Sequence, residues 1–440
     1  MKPVVAIVGR PNVGKSSLFN YLAGEKIAIV KDEPGITRDR IYADVEWNGR
    51  QFTIIDTGGI EPESKDLILS KMREQAQIAI DTANVIVFMT DVQMGLVDSD
   101  DKVADMLRKS RKSVVLCVNK VDSFRKYEAD IYEFYNLGLG DPIPVSADQR
   151  TGVGDLLDEI VKLLPDKNAD EEEDERPRIA VVGRPNVGKS SLINKYLGNE
   201  RLIVSDIAGT TRDAVDTVVR RNGKEYIFVD TAGLRRKNKI KEELETYMIA
   251  RTVSAVDRSD IVVLVIDGTE GVAEQDAKIA GIAHDRGKGI IIAVNKWDAV
   301  EKDDKTIYRM SRDIMQTLSF MPYAEILFIS ALTGQRTEKL FESIDTVIAN
   351  QNLRIQTGVL NEIVSEAVTM QQPPSDKGRR LKVLYATQVS VKPPTIVIFV
   401  NSVKLMHYSY TRYLENRIRE AFGFQGTPIR FVIKERKTEK

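Results

Sequence analysis

Gly9-Arg-Pro-Asn-Val-Gly-Lys-Ser-Ser-Leu18 recurs without a change as Gly183-Arg-Pro-Asn-Val-Gly-Lys-Ser-Ser-Leu192, 174 positions later. Each copy follows a run of mostly β-branched residues, 4–8 and 179–182, that reads as a buried strand, and each precedes a helical pattern. The spacing fits G-x-x-x-x-G-K-S between strand and helix, where glycines let backbone N–H groups close around phosphate oxygens. The helix N-terminus adds the positive end of its dipole. Gly9, Gly14, Lys15, Ser16 and Ser17 are therefore candidate phosphate-binding residues, with Gly183, Gly188, Lys189, Ser190 and Ser191 as their counterparts. The lysine would reach the β- and γ-phosphates and the Ser16 or Ser190 hydroxyl would ligate Mg²⁺.

Other landmarks repeat in the same order. Asp56-Thr-Gly-Gly59 returns as Asp230-Thr-Ala-Gly233 at the same offset, Asn119-Lys120-Val-Asp122 as Asn295-Lys296-Trp-Asp298 at 176, and Ser146-Ala147 as Ser330-Ala331 at 184. A period this long marks duplicated domains, with insertions late in the second copy. The aspartate of NKxD chooses the base: its carboxylate can accept from guanine N1–H and the exocyclic amine, and adenine offers no such donor pair. Ser146-Ala147 and Ser330-Ala331 follow the next strand and would bring a backbone N–H to guanine O6. Asp56 and Asp230 would hold Mg²⁺ through water, and the Gly59 and Gly233 N–H groups would bond the γ-phosphate. Thr37 and Thr211, in Gly-x-Thr-Arg-Asp segments between loop and hairpin, can reach Mg²⁺ only when that segment folds over a triphosphate. Lys15, Thr37, Gly59, Lys189, Thr211 and Gly233 are accordingly the residues expected to act on the reacting phosphate.

Each copy alternates strands with helices, which implies an α/β fold: a mostly parallel sheet with helices on both faces. Asn48-Gly49 and Asn222-Gly223 each join two alternating strands as type I′ hairpins, adding one antiparallel edge strand. The expected organisation is a first module over 1–164, an acidic linker over 165–177, a second module over 178–352 and a smaller α+β domain over 353–440. The linker should be extended by self-repulsion, with room for a large displacement of the first module.

The chain has 440 residues and a net charge of −1, which excludes a uniformly basic nucleic-acid coat. The balance hides an asymmetry: residues 353–440 carry +8 and the rest −9. Lys377, Arg379, Arg380, Lys382, Arg436 and Lys437 are the candidate RNA contacts of this basic tail. A single cysteine, Cys117, excludes an internal disulfide and a cysteine metal cluster. The opening apolar run is too short for a signal peptide and no stretch reaches the length of a membrane span, so a cytoplasmic protein is expected.

Taken together, these motifs resemble the Der (EngA) family of bacterial ribosome-assembly GTPases, which carry two consecutive G domains and a C-terminal KH-like domain. The resemblance covers essentially the whole chain. It implies GTP and GDP as ligands with Mg²⁺, hydrolysis of GTP to GDP and phosphate, and a switch role in assembly of the large ribosomal subunit, with that subunit and its rRNA as partners of a monomeric protein. Ile60 and Leu234 stand where many small GTPases place a water-orienting glutamine. Related GTPases with an apolar residue there use K⁺ held by a P-loop asparagine, and the matching residues are Asn12 and Asn186. Gly423-Phe-Gln-Gly426 has the form of the RNA clamp of KH domains but follows a helix and precedes the last strand, so it reads as a helix end and turn. Tyr408, Tyr410 and Tyr413 read as packing residues, and His284 and His407 form no metal motif. A nucleotide-gated scaffold whose basic tail meets an acidic protein is the competing reading.

Overall fold

The computed structural model describes the chain except residues 1, 25–41, 57–64, 166–173, 175, 199–215, 222, 230–244, 374, 377–378 and 437–440. The described residues form two compact units: 1–174 with 239–257, and 175–238 with 258–440.

In the first unit, β1 (Val4–Gly9), β3 (Arg50–Asp56), β4 (Val85–Asp91), β5 (Ser113–Asn119) and β6 (Ile143–Pro144) run parallel in the order β3-β1-β4-β5-β6. β2 (Tyr42–Trp47) pairs antiparallel with β3 at the edge. The hairpin turns on Asn48 and Gly49, both at positive φ (48° and 71°), as Asn-Gly requires of a type I′ turn. β1 and β4 are buried along their whole length, because helices cover both faces. α1 (Lys15–Gly24) and α5 (Val153–Leu163) cover one face through Leu18, Phe19, Leu22, Leu156 and Ile160, which join one core with Phe52 and Ile54. α2 (Lys65–Thr82), α3 (Asp98–Ser110) and α4 (Phe124–Glu133) complete this module.

The second unit repeats the plan. β7 (Arg178–Val182), α6 (Lys189–Gly198), β8 (Thr217–Arg221), β9 (Lys224–Phe228), α7 (Glu245–Asp257), β10 (Ile261–Asp267), α8 (Glu274–Asp285), β11 (Gly289–Asn295), α9 (Thr306–Thr317), β12 (Glu325–Phe328) and α10 (Lys339–Asn352) follow in chain order. The strand order is β12-β11-β10-β7-β9-β8, again with one antiparallel edge strand. Of these elements, α7 counts with the first unit, where it packs against α2.

The tail forms the expected α+β domain: α11 (Thr357–Met370), β15 (Val383–Ser390), β16 (Thr395–Val400), α12 (Tyr408–Phe422) and β17 (Arg430–Glu435), with two short strands, β13 (Ser375–Asp376) and β14 (Arg379–Arg380), paired antiparallel as a separate sheet between α11 and β15. β15 and β16 are antiparallel, β16 and β17 parallel, and Leu360, Val364, Ile398, Val400, Leu414 and Ile418 form a separate core. Tyr410 and Tyr413 donate their hydroxyls to the Gln371 and Ala367 carbonyls, so both are packing residues, whereas Tyr408, 54% exposed at the start of α12, is not.

This domain docks on the N-terminal end of β11. Gly426 N donates to Tyr323 O and Ile290 N to Gly426 O, both at 2.7 Å. Asn350 Nδ2 bonds Gln425 O and Arg430 Nη2 bonds Asp285 O. Gly426 has φ +70°, and a Cβ there would lie 2.2 Å from Val347 Cγ2. The second glycine of the clamp-like sequence is thus a close-approach residue of this seam, while Gly423 (φ +86°) ends α12.

Candidate nucleotide-binding sites

The C-terminal edge of a parallel sheet is where ligands sit in doubly wound folds. Both copies place there those of the residues singled out from the sequence that the structure describes. Lys15 opens α1 and Lys189 opens α6. Lys15 Nζ donates to the carbonyls of Gly9 (2.9 Å) and Arg10 (2.7 Å), and Lys189 Nζ does the same to Gly183 (2.8 Å) and Arg184 (2.6 Å). Each ammonium is thereby held over its own loop. Asn12 and Asn186 adopt positive φ, 64° and 61°, a conformation asparagine tolerates better than most side chains. That accounts for an asparagine at the loop apex independently of any ion.

The loop is locked to the end of β5 or β11 by one side chain in each copy. Asn119 Nδ2 donates to Val13 O (2.6 Å) and its Oδ1 accepts from Ala147 N (2.9 Å). Asn295 repeats this with Val187 O and Ala331 N, both at 2.8 Å. A Cβ on Gly14 would lie 2.2 Å from Asn119 Nδ2, and one on Gly188 the same distance from Asn295 Nδ2. The glycine of the phosphate loop is therefore required by the asparagine of NKxD as well as by its own positive φ. The Ser146 hydroxyl donates to Asp122 Oδ1 at 2.7 Å, orienting that carboxylate, while Ser330 Oγ accepts from Thr333 N. Asp122 and Asp298 are exposed, open to a ligand edge.

Ser16 Oγ lies 3.0 Å from Asp56 Oδ2, so an alcohol and a carboxylate oxygen converge at the mouth of the first loop. Two oxygen donors at that separation suit a hard divalent cation. Thr37, Gly59, Thr211, Asp230 and Gly233, together with Ile60 and Leu234, lie outside the described residues. So do Lys377, Lys437 and most of the acidic linker. Among the described residues no group of three or more histidine, cysteine or acidic side chains could hold a metal. Cys117 is buried in β5, and burial pushes its thiol up to about 12, which keeps it protonated and inert.

Two supporting pairs in each copy escaped the motif reading. Lys120 Nζ pairs with Asp91 Oδ2 at 2.7 Å and Lys296 Nζ with Asp267 Oδ2, at the ends of β4 and β10. Both lysines have positive φ, so the pair fixes the turn that carries Asp122 or Asp298. For Asp267, burial alone would raise the carboxyl, but hydrogen bonds from Lys296 and Thr269 outweigh it and hold it below its ordinary value. Arg10 Nε bonds Asp100 Oδ1 (2.9 Å) and Arg184 Nε bonds both oxygens of Asp276 (3.1 and 3.0 Å), tying each loop to the next helix. Burial raises Asp100 more than Arg10 lowers it; burial likewise raises Asp276 against Ala273 N–H and Arg184. The signal was in the repeat: Asp91 and Asp100 recur at the 176 offset of NKxD.

Residues 4–120 and 178–296 match the family model described as 50S ribosome-binding GTPase. Residues 354–434 match the KH-domain-like C-terminal domain of EngA bacterial GTPase enzymes. Over 436 residues, covering 99% of both chains, the sequence is 71% identical to GTPase Der of Agathobacter rectalis. The chain belongs to the Der family of GTPases. GTPase Der of Lachnoclostridium phytofermentans is 70% identical over the same span. Among solved structures, Era of Aquifex aeolicus bound to GDP and aluminium fluoride is similar at 23% identity and a TM-score of 0.30, covering 59% of this chain and 92% of that one. As a member of the Der family the chain binds and hydrolyses GTP. No helix among the described residues is long and apolar enough to cross a membrane.

Proposed function

We propose that each copy binds one guanine nucleotide, and that the two sites switch a basic docking domain during assembly of the large ribosomal subunit in the cytoplasm. The modules are 1–164, 178–352 and 353–440. The observation that carries the site assignment is the asparagine bridge, Asn119 and Asn295, because it joins phosphate loop, base strand and Ser-Ala turn into one rigid cup in both copies. A loop braced in this way would present its own backbone N–H groups to developing charge without reorganising.

In each cup the loop N–H groups and Lys15 or Lys189 would take the phosphates, and Asp122 or Asp298 the guanine edge. Ser16 and Asp56, with Thr37, would hold Mg²⁺, and Ser190, Asp230 and Thr211 would do so in the second copy. Bound Mg²⁺ neutralises charge on the β- and γ-phosphates. Gly59 and Gly233 would sense the γ-phosphate through their N–H groups. Without a glutamine at Ile60 or Leu234, extra positive charge near the phosphates would come from K⁺ beside Asn12 and Asn186. Turnover in KCl should exceed turnover in NaCl at equal ionic strength; equal rates would remove K⁺ from the proposal.

The basic tail and the family model for ribosome-binding GTPases support the large subunit as partner. Sedimentation with separated subunits tests it. Binding to the large subunit should be strongest with GTP and fall with salt, since phosphate neutralisation releases counterions. Equal binding to both subunits, or binding indifferent to nucleotide, would refute the switch.

A further inference from the structure

The sheet of the C-terminal domain buries one face under α11 and α12, through Ala386, Ile396, Ile398 and Val400. Side chains alternate across a sheet, so Tyr385, Thr387, Val397, Phe399, Val432 and Lys434 occupy the other face. None of these six is acidic. Tyr385 and Phe399 are register partners, and their rings stack with centroids 4.3 Å apart and planes 14° from parallel. The Arg436 guanidinium lies over the Tyr385 ring, 5.6 Å from its centroid. Its backbone N–H is bonded to Val400 O at 2.9 Å, which fixes the end of β17 beside the stack.

Further cations converge on the same end of the sheet. Lys434 is the register partner of Phe399. Asn401 accepts from Lys382 N (2.8 Å) and donates to Arg380 O (3.0 Å), so one side chain holds both residues at the end of β16. Arg380, Lys382, Lys434 and Arg436 are all exposed. Glu435 belongs by register to the opposite face, where it accepts from Val403 N. Arginine planes and aromatic rings stack on bases of any sequence, while flanking ammonium and guanidinium groups meet phosphates. Bases within a duplex keep their faces covered, so the matching ligand is a single strand. An acidic protein would be drawn by the charge but would gain nothing from a planar stack.

We propose that this open sheet face binds single-stranded nucleic acid, a base stacking on the Arg436–Tyr385–Phe399 column and its phosphates meeting Arg380, Lys382 and Lys434. The site is separate from Gly423–Gly426, which the seam with the second G domain occupies. Assigning the strand to RNA rests on the ribosomal reading above; the stacking site itself does not.

The test uses the full chain and fluorescein-labelled decauridylate, decathymidylate and a ten-base-pair RNA duplex, read by anisotropy at low salt. The single strands should bind more tightly than the duplex, with affinity falling as salt rises. Tyr385→Leu and Phe399→Leu keep apolar bulk and should each weaken binding about tenfold. Arg436→Ala and Lys434→Ala, surface changes that leave the core untouched, should weaken it similarly and flatten the salt dependence. GTP hydrolysis should be unchanged in all four. Leucine and alanine variants that bind like the parent, equal affinity for the duplex, or equally effective displacement by a polyglutamate decapeptide would overturn the site. Binding of decathymidylate without decauridylate would overturn the RNA assignment. Failure of subunit sedimentation with intact oligonucleotide binding would refute the ribosomal reading alone.

Discussion

In the first copy Arg10 reaches one oxygen of Asp100 in a sealed position, and both the Arg10 Nη2 and the Asp100 Oδ2 are buried without a hydrogen-bond partner. In the second copy Arg184 grips both oxygens of Asp276 and extends to Glu270 Oε2 (3.0 Å) and Gly271 O (3.2 Å). The same ten-residue loop is thus anchored tightly but incompletely in one copy, and more openly but completely in the other. The cores differ as well. Leu22, Phe52, Ile54 and Leu157 of the first copy correspond to Tyr196, Tyr226, Phe228 and Phe341 of the second. There Tyr196 meets Phe341 edge-on at 4.8 Å, and the two tyrosine hydroxyls donate to Thr337 O and Asp345 Oδ1. The copy with the aromatic, hydrogen-bonded core is the one that also carries the docked C-terminal domain. Identical motif residues therefore rest on different supports, and the copies need not respond alike to the same change.

The largest effect should separate the two active sites. Lys15→Ala should lower GTP turnover at the first site about a thousandfold and leave the second intact, with Lys189→Ala as the converse, because on the proposed assignment each ammonium would serve one set of phosphates. Single-turnover assays on the two variants measure this; if either change silences both sites, the copies are not independent. The next concerns the anchors. Arg10→Leu leaves Asp100 buried and unpaired and should cost about 3 kcal/mol, whereas Arg184→Leu should cost about 2 kcal/mol because water reaches that pair more readily. Thermal unfolding followed by calorimetry gives the order, and equal losses would show that the orphaned atoms of the first pair do not matter.

A smaller effect belongs to the second unit alone. Gly426→Ala should destabilise it by about 2 kcal/mol through positive φ and the clash with Val347, with no change in the first copy. Hydrogen exchange at Ile290 and Gly426 would report the opened seam; unchanged protection there would remove the close approach as its cause. The smallest effect has opposite signs within the second copy. Asp276 is raised, so its contribution is fully present below the ordinary aspartate value, about 3.9, and is lost as pH rises through its folded value. Asp267 is lowered, so its contribution is present above the ordinary value and lost as pH falls through its folded one. Asp276→Asn and Asp267→Asn should therefore tilt the low-pH stability curve in opposite directions, and parallel shifts would contradict the assignment.

Periodicity and spacing made much of this architecture legible. The β-branched runs became β1, β4, β7 and β10, and the Asn48-Gly49 pair gave a hairpin with both residues at positive φ. The tail showed its α-β-β-α-β order, although the two-residue strands β13 and β14 carried no pattern long enough to register. Side-chain partners across the fold were less accessible. Nothing local in Asn119 says that it reaches Val13, 106 residues away, or that Gly14 is glycine because of that amide. Asp91 and Asp100 were visible only as repeated letters, since an aspartate at a strand end or helix start has many uses.

The sequence by itself determined the duplicated P-loop motifs, the two NKxD motifs and the basic tail, because each is a property of residue type, order and charge. Only the tertiary structure decided how the loops are braced, that Gly426 joins the C-terminal domain to the second G domain, and that Tyr385, Phe399 and Arg436 stand together on one open face. Those three are brought together by strand register and by the end of β17 returning beside β16, and register is settled by which face the core buries.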